Sequence, residues 1–186
     1  MELLALRAVA GDDQAHGLAV VALDGGVGAQ QVGDALALLQ PADRDDRGAA
    51  IVELGLRSVH WLGFVDNAAL PQLMASADIF CAPATAQESF GYVLVEAMAA
   101  GLPVVGFANA GYAEVLAQHP GNMAVPVGDE RALAGAIGAF IASPALRRHV
   151  SAANRSSVER HSWEHVGAQV MRVYEQALAT RRQRAV

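Results

Sequence analysis

Two carboxylates mark the chemistry open to this chain. Glu88 and Glu96 lie eight residues apart in Glu88-Ser89-Phe90-Gly91-Tyr92-Val93-Leu94-Val95-Glu96, with a glycine and an apolar run between them. Ionised carboxylates only accept hydrogen bonds, which suits them to holding ligand hydroxyls. Glu88 follows the apolar segment Asp78-Ile79-Phe80-Cys81-Ala82-Pro83 and sits among the small residues Ala84-Thr85-Ala86-Gln87, so its loop is free to shape a pocket; a solvated loop acid or a helix cap is the plainer alternative. Glu96 is flanked by Val93, Leu94, Val95, Ala97 and Met98. A carboxylate on a helix face that packs on a sheet is costly without a partner, and a ligand hydroxyl would supply one; an exposed acid or an arginine partner would also fit. Ser89, Phe90, Gly91 and Tyr92 open the helix that carries Glu96. Unpaired N–H groups and the helix dipole at such an end suit a phosphate, and Gly91 lets a backbone approach closely. Phe90 reads more as packing than as contact.

The elements that must position these groups follow from the apolar pattern. Residues Leu3–Ala10 predict a short helix ending near Gly11, and Leu18–Leu23 a buried strand before the turn Asp24-Gly25-Gly26. Helices are predicted over Gln30–Gln40 and Ala49–Leu56, a strand over Val59–Val65 and an amphipathic helix over Ala68–Ser76. The strand at 78–83 follows, then the helix at 92–100, which stops at Gly101, and the strand Val104–Phe107. A helix near 111–118 and a short strand at Met123–Val125 come next. Asp129 caps a helix through Ile141, Ser143-Pro144 starts another, and Ser162 caps a last one from Trp163 to about Thr180. Strands alternating with helices of about ten residues imply βαβ units and a parallel sheet with its loops on one edge, where ligands bind in open α/β sheets. Gly63-Phe64-Val65 and Ala108-Asn109-Ala110-Gly111 leave strands toward that edge.

Two other motifs fail on their own physics. Gly26-Val27-Gly28-Ala29-Gln30-Gln31 begins like a dinucleotide fingerprint, but Gln31 stands where the third glycine belongs. His161-Ser162-Trp163-Glu164-His165 spells an inverted zinc-protease motif, yet Ser162 reads as the helix cap and leaves His161 outside the helix. The histidines at 16, 60, 119 and 149 show no metal spacing. The lone cysteine, Cys81, excludes an internal disulfide and reads as buried packing. At 186 residues and 53% hydrophobic content, the chain suits one substantial core. A net charge of −6 argues against a nucleic-acid partner. No run reaches the roughly 18 apolar residues of a membrane span, and Met1–Arg7 lacks the layout of a signal peptide, so the expectation is a cytoplasmic protein.

Glu-x-Phe-Gly-x-x-x-x-Glu followed by Ala97-Met98-Ala99-Ala100-Gly101-Leu102-Pro103-Val104-Val105 resembles the donor-sugar motif of retaining GT-B glycosyltransferases of the glycogen-synthase-like, family 4 type. Ser76–Pro83 and Ala168–Glu175 make it similar to actinobacterial phosphatidylinositol mannosyltransferases in particular. The resemblance implies an α/β, Rossmann-like fold that binds a nucleotide sugar. Glu96 would then hold both ribose hydroxyls and Glu88 the sugar beside its anomeric centre. Amides around Ser89, Phe90, Gly91, Tyr92 and Val93 would meet the sugar and diphosphate, and the turn at Val65 would lie against the base. The implied reaction is hexosyl transfer with retention, with mannose from GDP-mannose the implied donor. It proceeds by charge stabilisation, with no metal and no cofactor beyond the donor.

The departures are as informative. The family's acceptor-binding N-terminal domain has no counterpart here, and neither does its Gly-Arg…Lys-Gly diphosphate clamp; the chain has no lysine at all, and all 13 of its basic residues are arginine. Residues 1–162 are therefore expected to form the nucleotide-sugar-binding domain, lacking a first strand. Residues 163–180 would form a crossing helix and 181–186 a disordered tail. The chain reads either as the donor half of an enzyme that needs a separate acceptor-binding domain, peripheral to a membrane when complete, or as a non-catalytic nucleotide-binding module or inactive remnant.

Overall fold

The computed structural model describes residues 4–10, 17–23, 59–85 and 89–184. Glu88, the Gly26–Gln31 segment and the helices expected at 30–40 and 49–56 lie outside the described residues. The strands are β1 (Leu4–Ala10), β2 (Gly17–Leu23), β3 (Val59–Phe64), β4 (Ile79–Ala82), β5 (Val104–Phe107) and β6 (Met123–Val125). The helices are α1 (Leu70–Ala75), α2 (Tyr92–Ala99), α3 (Ala110–Gln118), α4 (Glu130–Ala142), α5 (Pro144–Ser157) and α6 (Trp163–Arg184), with a 3-10 turn at Val158–His161 between the last two.

The strands form one sheet in the order β3-β1-β2-β4-β5-β6. Strands β4, β5 and β6 run parallel, joined through α2 and α3, which is the α/β arrangement expected. Strand β2 is antiparallel to both neighbours, so the sheet is mixed rather than all-parallel. The link over residues 11–16 is too short for a parallel crossover, which takes about a dozen residues, and a hairpin is what remains. The expected helix at Leu3–Ala10 is also overturned, because these residues form β1. Alanine and leucine favour a helix by only tenths of a kcal/mol per residue, whereas β1 lies between two strands that pair with it on both edges, from Leu4↔Leu23 through Ala10↔Gly17 and from Leu6↔Val59 through Ala10↔Phe64.

Alternation along β4 and β5 divides the core. Ile79, Cys81, Val105 and Phe107 face α4, where Leu133, Ile137 and Phe140 are buried with Val150 of α5. Phe80, Ala82 and Val104 face the opposite layer, with Met74 of α1, Leu94, Ala97 and Met98 of α2, and Tyr112, Val115 and Leu116 of α3. Each fully buried large side chain in these layers contributes about 1.5–3 kcal/mol relative to exposure. The starts of α4 and α5 follow the expected caps, Asp129 and Ser143, and α3 has one that was not expected, Asn109. Asn109 accepts from the Tyr112 N–H at 2.9 Å, Asp129 from Ala132 at 2.8 Å and Ser143 from Leu146 at 3.2 Å. Helix α6 runs past Thr180 to Arg184.

Buried amides tie the layers together. Asn154 donates to the Leu102 carbonyl at 2.7 Å and exchanges hydrogen bonds with Asn122 at 2.8 and 3.0 Å. Asn122 in turn accepts from the Val104 N–H at 2.8 Å, which fixes the start of β5.

Candidate functional site

Through β1 and β2, β3 runs parallel to β4, so the exits of β3, β4 and β5 share one edge of the sheet. Three sequence-predicted segments meet there: Val65 after β3, Ala84 after β4 and Asn109 after β5. Asn109 is buried, and both ends of its side-chain amide are bonded: Oδ1 caps α3, and Nδ2 donates to the Ala84 carbonyl at 2.9 Å. It braces the loop that leads toward Glu88.

Helix α2 starts abruptly. Gly91 is its N-cap at φ +87° and has no side chain of its own to cap the helix. An added Cβ at Gly91 would come within 2.7 Å of the buried Tyr112 ring, so the position admits only glycine without strain. Ser89 is exposed, and Val93 is half-buried against the α1–α3 layer. Phe90 packs on that same layer and meets the Tyr92 ring at 4.9 Å and the His161 ring edge-on at 5.9 Å. Tyr92 is 69% exposed at the mouth.

Glu96, one turn further along α2, lines a cavity of about 550 Å³ between α1 and α2 with Asn67, Leu70, Pro71, Met74, Ala75, Ala99 and Ala100. The carboxylate reaches water, yet this largely apolar wall removes enough solvent to raise its pKa above the usual glutamate range. The turn after β3 forms one end of this cavity: Asp66 accepts from the Ala68 N–H at 2.8 Å and presents Asn67. Val65, just before this turn, packs on the α1–α3 layer. Glu96 and the β3 exit are thus brought together. Ser89–Val93 stay at the head of α2, outside the cavity wall. Asn67, Leu70 and Pro71 were not singled out from sequence; their signal was position, immediately after the Gly63-Phe64-Val65 exit.

The remaining polar candidates resolve into structure. Ser162 Oγ accepts from the His165 N–H at 3.2 Å, which makes it the cap of α6. His161 lies 3.2 Å, Nε2 to Nε2, from the buried His119, whose Nδ1 is 2.6 Å from Ser157 Oγ. Burial and the nearby Arg160 lower the pKa of both histidines, and His161 lowers that of His119 further. Cys81 is fully buried, and burial alone drives its thiol pKa far upward. Among the described residues no group of three His, Cys, Asp or Glu could hold a metal ion, and no helix is long and apolar enough to cross a membrane.

Comparison with known proteins agrees with this geometry. The profile of the family "Glycosyl transferases group 1" matches residues 32–157. The chain belongs to this glycosyltransferase family. It is 39% identical over 165 residues to the phosphatidyl-myo-inositol mannosyltransferase of Mycobacterium leprae, covering 88% of this chain and 44% of that protein. It is 37% identical over 133 residues to the MMP alpha-(1->4)-mannosyltransferase of Mycolicibacterium hassiacum, covering 69% of this chain and 32% of that one. The chain therefore spans less than half the length of these relatives. Among solved structures, the Anabaena HepE protein in complex with UDP superposes with a TM-score of 0.71 at 23% identity, over 94% of this chain and 49% of that one. The same protein in complex with UDP-glucose gives 0.64 at 26% identity, over 80% and 45%.

Proposed function

We propose that this chain is the donor-binding half of a retaining glycosyltransferase that transfers a hexosyl group, mannosyl by its similarity to mannosyltransferases, from a nucleotide-diphosphate sugar such as GDP-mannose. The observation that carries this reading is Glu96, the one carboxylate in a cavity of about 550 Å³ lined otherwise by Asn67 and apolar side chains, beside the β3 exit turn. A nucleoside fits such a wall: its base lies on apolar surface near Val65, and its ribose hydroxyls donate to Glu96. The α2 N-terminus offers amides and dipole to the diphosphate, where they offset charge developing on the leaving group. Glu88 is assigned the donor sugar by its place in the motif. The exposed α6 side chains Trp163, Val170, Met171, Tyr174 and Leu178 suit a covering acceptor-binding domain.

A second reading is a nucleotide-binding module that is not catalytic by itself. Calorimetric titration with GDP, UDP and ADP tests both. Micromolar binding of one nucleotide, abolished in Glu96→Ala, is the expected result and names the base. Equal affinity in wild type and Glu96→Ala would remove Glu96 from the site, and no binding by a folded sample would leave the donor half unsupported.

A further inference from the structure

A second cavity, of about 310 Å³, lies at the opposite edge of the sheet, where β4 and β5 begin. It adjoins the Glu96 cavity, sharing Ala75 and Ala100 with it, but its chemistry is the reverse. Arg147, Ser151 and Arg155 recur every four residues along α5 and, with Arg148, turn one helical face into the cavity. Asp78 is the one carboxylate in the wall.

Two of the guanidiniums are held in place before any ligand arrives. Arg147 Nη1 donates to the Phe140 carbonyl at 2.6 Å and to that of Ile141 at 3.0 Å, at the end of α4. The Arg155 guanidinium lies flat on the backbone of Gly101, where any Cβ would run into it, with Nη2 3.4 Å from the Ala100 carbonyl. Gly101 sits at φ +85°, so its lack of a side chain both ends α2 and makes room for the arginine. Asp78 supplies one negative charge against three guanidiniums, so the wall stays net positive. Planar guanidinium forks match the paired oxygens of a phosphate. The cavity exceeds a single phosphate and falls in the size range of small-molecule sites.

We infer that the Arg147–Arg148–Arg155 cavity is a binding site for a phosphate-bearing polar molecule, separate from the donor site and independent of the reading given above. The test is calorimetric titration of the full chain with inorganic pyrophosphate, beside co-sedimentation with phosphatidylcholine vesicles with and without phosphatidic acid. The variants are Arg148→Gln with Arg155→Gln, both at exposed side chains, and Arg172→Gln, exposed on α6 outside the cavity wall, as the charge-matched control. The expected result is that the double substitution weakens pyrophosphate binding about tenfold or more, as loss of charge-assisted hydrogen bonds requires, while Arg172→Gln leaves it unchanged. Binding of pyrophosphate without phosphatidic acid vesicles assigns the site to a soluble phosphate compound. Vesicle binding lost in the same variants assigns it to a lipid headgroup. Should the double variant misfold, Arg148→Gln alone is expected to weaken binding about threefold or more. Wild-type affinity in the arginine variants, or no binding of either probe by wild type, would overturn the inference.

Discussion

Replacing Gly91 with alanine tests how the head of α2 is built, and Gly128 supplies the internal control. Both glycines have positive φ, +87° and +79°. At Gly128 an added Cβ meets nothing within 4 Å, whereas at Gly91 it meets Tyr112 Cδ1 at 2.7 Å and Leu94 Cδ1 at 3.4 Å. Tyr112 and Leu94 are fully buried, so neither can swing aside. Gly128→Ala then carries only the cost of left-handed backbone, about 1–2 kcal/mol. Gly91→Ala adds an overpacking cost of about 1–3 kcal/mol, for a total of about 2–5 kcal/mol. Urea unfolding followed by circular dichroism reads the difference. With a slope near 2 kcal/mol/M, the midpoint falls by about 0.5–1 M for Gly128→Ala and by about 1–2.5 M for Gly91→Ala. Equal shifts in the two variants would refute the steric argument and with it the placement of Gly91 against Tyr112.

The raised pKa of Glu96 means that its carboxylate takes up a proton at a higher pH than the usual value near 4.3. Nucleotide affinity in wild type is therefore expected to fall on acidification earlier than for an ordinary glutamate, and Glu96→Gln to flatten that dependence in titrations between about pH 4.5 and 6.5; a wild-type affinity independent of pH over that span counts against it. His119 and His161 have lowered pKa values, so the folded chain refuses protons that the unfolded chain accepts below about pH 6.5. Their contribution to stability is complete above that pH and is lost as pH falls through it. The melting temperature should drop from pH 7.5 to 5.5 less steeply in His119→Gln than in wild type, and identical slopes would exclude the pair. Asn109→Ala removes a helix cap worth about 1 kcal/mol and orphans the Ala84 carbonyl at about 1–3 kcal/mol, so a loss of about 2–4 kcal/mol is expected in urea unfolding; a loss under 1 kcal/mol would show that the Asn109 brace is not formed.

The second half of the chain was legible because its local signals agree with its packing. Val104–Phe107 and Met123–Val125 are short apolar runs bounded by turn residues, and they pair where the pattern places them. Asp129, Ser143 and Ser162 announced helix starts through side chains that bond their own backbone within three residues, a local effect that sequence carries directly. Leu4–Ala10 misled because alanine-rich composition speaks for a helix, whereas the partners that make it a strand arrive from distant segments. The site was legible as a motif and not as a shape. Glu96 stood out by its apolar neighbours, but the facing wall comes from Asn67, Leu70 and Pro71, and only the packing of α1 against α2 brings these across. The Asn122–Asn154 exchange joins residues 32 apart in sequence and leaves no local trace.

Helix α6 has a consequence for how the chain behaves in bulk solution. At about 1.5 Å per residue, its 22 residues make a rod about 33 Å long. Trp163 at its head is 84% exposed, and Val173 and Tyr174 further along are more than 60% exposed. Such a rod is adhesive toward others of its kind, while the overall charge of −6 holds molecules apart. Added salt shortens the reach of that repulsion to about 8 Å at physiological ionic strength. The colloidal state of the isolated chain is therefore set by a contest between one sticky rod and a diffuse negative charge, and salt tilts it toward clustering.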